Sequence, residues 1–304
     1  MDERAAYAEA EAAVYRAHAL EPRMRDIRVG ELDLHVVELG ASTGAPLLWV
    51  HGGGSNGLQF TSLIAAVEQS APSKFRHVVV DRPGCGGSAP FAYWNVSDVR
   101  SHALAVLRGV LEDAGLARVS IVANSMGALW SLWLALDEPA RVERLVLAGV
   151  PATFLGTSAP LPMRLASVPW IGRRVLGGTA SRAKAERSLR MLGHDPARIG
   201  EPELAAALVA QSRSGWGTDF ASLLHRVLRL GGARNPFGDD DWRRLEPPVH
   251  LVWGDRDPFG AVAVARRAVE LRPSSTKLDI AAGAGHMPWF EARELCARAI
   301  TAMT

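Results

Sequence analysis

Apolar residues recur along this chain in two rhythms. Short, nearly continuous runs of Val, Leu, Ile and Trp alternate with longer stretches in which apolar positions return every three or four residues. The first rhythm predicts buried strands and the second predicts amphipathic helices. Residues 46–50, 77–80, 119–123, 145–149, 249–253 and 277–280 read as strands. Residues 58–69, 97–114, 126–136 and 261–271 read as helices, with a closing helix from about residue 288. Residues 26–39 alternate apolar and polar like a strand pair, with Gly30-Glu31 as the hairpin turn. Ahead of them, residues 2–21 are rich in Ala, Glu and Arg and predict a helix with Ala6, Ala10, Val14 and Ala17 along one side. Such a helix covers an edge of the sheet or of an entrance, or simply lies on the surface.

Strand and helix in regular alternation imply an α/β fold, a mostly parallel doubly wound sheet covered on both faces. The rhythm breaks at Pro151. Residues 151–237 contain no convincing strand; they carry Pro160, Pro162 and Pro169, many arginines, and helical stretches at 180–192 and 203–211. The expected organisation is an N-terminal helix (1–25), a core made of 26–150 and 238–304, and a helical lid inserted at 151–237.

Composition narrows the partners. A chain of 304 residues with 48% hydrophobic content suits one large α/β domain with an insertion, or two small domains. Its 34 basic residues nearly balance 32 acidic ones, so neither nucleic acid nor a membrane surface is expected as partner. Cys85 and Cys296 form no CxxC pair, which argues against a zinc site or a disulfide framework. The N-terminus lacks the basic and apolar regions of a secretory signal, and no apolar run is long enough to span a bilayer. The expectation is a soluble cytoplasmic protein with a small-molecule substrate, no metal and no cofactor; a homodimer is allowed.

The chemistry concentrates at Ala123-Asn-Ser-Met-Gly127, between a predicted strand and a predicted helix. A serine at the tip of such a corner is lifted clear of the sheet, with helix N–H groups and positive dipole behind it. This is the nucleophile-elbow pattern, with Ala123 where the first glycine usually stands. A serine hydroxyl needs a base, and the base needs a group to hold its tautomer. Of the nine histidines only His286 follows the last candidate acid, in a loop of small residues after the last strand. Asp255 and Asp257 both close the strand at 249–253; Asp257, further out on the loop, is the preferred acid. Oxyanion donors are expected at the N–H of Met126 and of Gly53, with Gly54 as second choice for the latter. His51 reads as a structural brace of its loop.

The order Ser125, Asp257, His286 resembles the α/β-hydrolase family, as do His51-Gly-Gly-Gly54, Asp81-Arg-Pro-Gly-Cys-Gly-Gly-Ser88 and Gly285-His-Met-Pro288. The resemblance runs from about residue 27 to the C-terminus and puts the region after Pro151 at the cap position. Asn124-Ser-Met-Gly127 also looks like the elbow of carbon–carbon hydrolases that cleave ring-fission products; those enzymes commonly carry Trp where this chain has Met287. Haloalkane dehalogenases and epoxide hydrolases of the family use Asp at the elbow, and Ser125 argues against both. The resemblance implies a serine hydrolase acting through an acyl-enzyme, with a carboxylic ester as the favoured substrate.

Two other readings compete. Gly52-x-Gly54-x-x-Gly57 after a strand also satisfies a dinucleotide fingerprint, with Asp81 as its acid later than the usual spacing. The same fold also hosts acyltransferases, cyclases and ligand receptors. Within the lid, Met163, Trp170, Met191, Trp216 and Phe220 are candidates to line an acyl or aromatic pocket, joined by Gly54 and Met287 from the core. Arg164, Arg173 and Arg174 are candidates to meet a substrate carboxylate.

Overall fold

Strands that are apolar on both sides have no face to offer to water, so they assemble where helices cover both faces. The computed structural model, which describes residues 3–302, places strands of this kind inside one eight-stranded sheet whose two edge strands are more polar: β1 Arg23–Val29, β2 Leu32–Gly40, β3 Ala45–Val50, β4 Phe75–Val80, β5 Val119–Ala123, β6 Val142–Ala148, β7 Val249–Gly254 and β8 Thr276–Ala281. Their order is β1-β2-β4-β3-β5-β6-β7-β8. β2 runs antiparallel to β1 and β4, and the remaining neighbours are parallel. The expected doubly wound α/β architecture is the one observed.

Alternation along β3 shows why the runs are continuous. Leu48 and Val50 join one core while Leu47 and Trp49 join the other. The first core is closed by α3 (Val99–Asp113), α4 (Met126–Asp137), α10 (Asp239–Arg244) and α11 (Val262–Leu271). The second is closed by α1 (Glu3–Ala17), α2 (Thr61–Ser70) and α12 (Arg293–Thr301). Between β6 and α10 lie five helices: α5 Leu161–Ala166, α6 Pro169–Leu176, α7 Arg182–Met191, α8 Glu201–Ser212 and α9 Trp216–Val227. Among the described residues no helix is long and apolar enough to cross a membrane.

Two expectations are corrected. Helix α1 buries Tyr7, Glu11, Val14 and Tyr15, while Ala17 is exposed. The aromatic rings have more surface to remove from water than the alanines, and they set the helix's rotation. The insertion is also not free of strand: Leu228–Arg229 pairs with Gly232–Ala233, and Phe154 bridges Phe237. A two-residue ladder is too short to leave a period-two pattern.

Candidate active site

The corner between β5 and α4 is strained. Ser125 holds φ +52° and ψ −117°, a conformation that costs a non-glycine residue energy and is kept only where surroundings enforce it. Packing does so here. A Cβ on Gly127 would run into the carbonyl oxygen of Val50 at the end of β3, so only glycine lets the first turn of α4 lie this close to the sheet. The Ser125 N–H donates to Gly149 O at 2.7 Å.

His286 lies on the loop after β8 and Asp257 on the loop after β7. His286 Nδ1 is 2.9 Å from Asp257 Oδ2, both side chains are buried, and the other oxygen of Asp257 accepts the Phe259 N–H at 2.9 Å. The carboxylate assigns the proton to Nδ1 and leaves a lone pair on Nε2. The ring of Phe259 stacks on the imidazole at 4.0 Å between centroids. Asp255 is exposed and accepts the Gly283 N–H at 2.7 Å, so it ties down a turn. Among the described residues His286 Nε2 is buried without a hydrogen-bond partner. Ser125 and His286 line one cavity, yet Oγ is not hydrogen-bonded to that nitrogen. Catalytic hydrogen bonds commonly tighten only with substrate in place.

Donors face the same cavity. Met126 opens α4, so its N–H has no partner within the helix. Gly53 and Gly54 line the cavity wall opposite. Gly54 sits at φ +68°, and a Cβ there would come within 2.7 Å of the Phe220 ring from α9. His51 does brace this loop. Its Nε2 accepts the Arg82 N–H at 2.9 Å, its Nδ1 lies 2.8 Å from Gly52 O, and burial beside the Arg82 guanidinium pushes its pKa well down. Arg82 itself donates to the carbonyl oxygens of His51 and Gly52.

Residues 45–292 match the α/β hydrolase fold family. The chain belongs to that family. This α/β hydrolase is similar to a 2-hydroxy-6-oxononadienedioate/2-hydroxy-6-oxononatrienedioate hydrolase of Pseudomonas putida, 29% identical and covering 91% of this chain and 94% of that one. A similarly named hydrolase of Cupriavidus pinatubonensis is 28% identical, covering 86% of each. In structure it resembles carboxylesterase CesB (YbfK) from Bacillus subtilis, with TM-score 0.79, 19% identity and coverage of 100% and 98%. It also resembles 2-hydroxy-6-oxo-6-phenylhexa-2,4-dienoate hydrolase from Rhodococcus sp. strain RHA1, with TM-score 0.75, 16% identity and coverage of 93% and 99%.

In this hydrolase Met163, Met191, Trp216 and Phe220 from the insertion line the cavity, as does Met287 from the core. Trp170 does not. It points to solvent from α6, whose inward side is set by Gly172, packed close to Ala166 and Ala221. Two positions along a helix is about 200° of rotation, which turns Trp170 away. Arg164, Arg173 and Arg174 are also absent from the lining. Arg164 donates to Leu230 O, and Arg173 lies over the Trp94 ring.

Three contributors escaped sequence reasoning. The side-chain amide of Asn124 donates to His286 O. His194, in the turn after α7, accepts the Met287 N–H through Nε2 at 3.1 Å and pairs through Nδ1 with Glu291 at 2.8 Å. The His286 N–H donates to Leu192 O, so the insertion is bonded directly to the loop that carries the imidazole. Only Asn124 left a local signal, a carboxamide inside a buried corner.

Elsewhere, Glu11, His35 and Asp81 bring metal-type donor atoms within 4.8 Å of one another. His35 already pairs with Glu11 and Asp26, and Asp81 accepts the N–H groups of Gly57 and Gly87. Those two bonds also occupy the acid that a dinucleotide ribose would need.

Proposed function

We propose that this chain hydrolyses neutral carboxylic esters with an apolar acyl or aryl group, through an acyl-enzyme on Ser125. The observation that carries the reading is the cavity itself. Ser125 and His286 open into about 150 Å³ walled largely by apolar side chains, with no Arg and no Lys among the lining residues. An apolar cavity of about that volume accommodates benzene. The one carboxylate in the lining, Glu203, is held by Arg293 at 2.7 Å.

Ser125 Oγ attacks the ester carbonyl carbon while His286 Nε2 takes its proton. Asp257 holds the imidazole tautomer and stabilises the imidazolium. The Gly53 and Met126 N–H groups bind the oxyanion. His286 then gives the proton to the leaving alkoxide, and water, deprotonated by the same nitrogen, releases the acid and restores Ser125. The insertion acts as the lid that excludes bulk water and shapes the acyl site.

Carbon–carbon hydrolysis is the second reading, favoured by the curated relatives and by Asn124-Ser-Met-Gly127. The relatives' names describe a dicarboxylate, and this cavity offers no cation to receive one. The deciding experiment compares kcat/KM for p-nitrophenyl butyrate and benzoate with bleaching of dienone mono- and dicarboxylates. Faster turnover of the esters, abolished by a fluorophosphonate, is expected. Preferential cleavage of the dicarboxylate would overturn the ester assignment.

A further inference from the structure

The outer surface of the insertion carries a second feature, built from side chains that do not line the cavity. Leu161 (56% exposed), Trp170 (71%), Val175 (60%) and Leu230 (54%) stand in solvent, with Leu165 also exposed. Leu161 and Leu165 share a face of α5, and Trp170 shares a face of α6 with Arg173 and Arg174. Contacts tie these elements together. Arg164 donates to Leu230 O at 3.0 Å, joining α5 to the small hairpin. Arg173 lies 4.9 Å from the Trp94 ring, which in turn lies 5.5 Å from the His225 ring. His225, Arg226, Arg229 and Arg234 then line a surface cleft of about 370 Å³ together with Asp98, whose carboxylate accepts the N–H groups of Arg100 and Ser101.

The near-neutral net charge conceals how the charges are distributed. Helices α5 and α6 carry Arg164, Arg173 and Arg174, the hairpin carries Arg229, and none of these three elements holds an Asp or Glu. We propose that this face, α5, α6 and the 228–233 hairpin, is a docking surface for an anionic lipid bilayer, with Trp170 and the leucines entering the headgroup boundary and the arginines meeting lipid phosphates. Exposed Trp and Leu interleaved with Arg is the composition of an interfacial segment.

The test is co-sedimentation of the full chain with vesicles of phosphatidylcholine, with and without phosphatidylglycerol, at low and high salt. Binding to the anionic vesicles, weakened by salt, is expected. Each basic residue near such a surface contributes roughly five-fold, so Arg173→Glu/Arg174→Glu should weaken partition by at least about 30-fold. Trp170→Ala should weaken it on both compositions, and unchanged thermal unfolding midpoints report that both variants are folded. Ser125→Ala should bind vesicles like the parent, which separates this surface from the catalytic reading. Equal binding to neutral and anionic vesicles, indifference to the double variant, or a lipid-free dimer that Trp170→Ala dissolves would each overturn the proposal.

Discussion

Asn124 and His286, 162 positions apart, are joined by a hydrogen bond from the Asn124 side-chain amide to the His286 carbonyl oxygen at 3.1 Å. The same amide donates to Ala148 O at 2.6 Å. The corner that carries Ser125 therefore holds the loop that carries His286. Asn124→Ala should lower kcat by about 10²-fold with little change in KM, since small misplacements cost about that much. Asn124→Asp should be worse, because a carboxylate facing two carbonyl oxygens has no proton to give. Steady-state kinetics on a soluble ester decide it; an unchanged kcat for both would remove Asn124 from the site.

Ser125→Ala and Asp257→Asn should each reduce turnover by about 10⁴-fold or more. Retention of more than about a tenth of the parent activity by Ser125→Ala would refute the nucleophile assignment.

His194 and Glu291 are both buried, and each is the other's partner. His194→Ala strands the carboxylate and frees the Met287 N–H. Urea denaturation should show a loss of about 2 kcal/mol or more, with Glu291→Gln recovering part of it in the double variant. No recovery would mean that the pair is not coupled.

Asp98 caps α3, accepting the N–H groups of Arg100 and Ser101. The Ser101 hydroxyl and these donors hold its carboxyl below the ordinary carboxylate value. A depressed folded pKa means stability that is present above the unfolded value, about 3.9, and lost as pH falls through the folded one. Asp98→Ala should cost about 1 kcal/mol at neutral pH. That difference should shrink below about pH 4, where the parent's carboxyl also protonates. A pH-independent difference in melting would contradict the capping account.

Burial pushes the Cys85 thiol up to about 11 and the Cys296 thiol up to about 12. Neither should react with a maleimide or an aromatic disulfide at mildly alkaline pH until the chain is unfolded. Mass spectrometry of the native protein after labelling checks this; rapid modification of Cys85 would show that its loop opens.

Much of the fold could be read from neighbouring residues alone. Strand runs, the Gly30-Glu31 turn and the sharp corner at Ser125 are each encoded within a few positions, because backbone period and turn geometry are local. His286 could be named as a candidate by elimination and Asp257 by its distance beyond the strand end, and the structure pairs the two at 2.9 Å. Other features depended on which surfaces met. Trp170 and Trp216 are both large aromatics on short helices, yet one is in solvent and the other lines the cavity. Helical spacing gives a face but not its direction; here Gly172, packed close to Ala166 and Ala221, turned α6 outward. Arg173 and Arg174 followed that helix to the surface. Contacts such as His194 with Met287 join segments 93 positions apart, and no local pattern encodes them. Sequence determined the elements and the candidate reactive groups; the tertiary structure decided which side chains face the cavity, because helix rotation is fixed by close packing against distant segments.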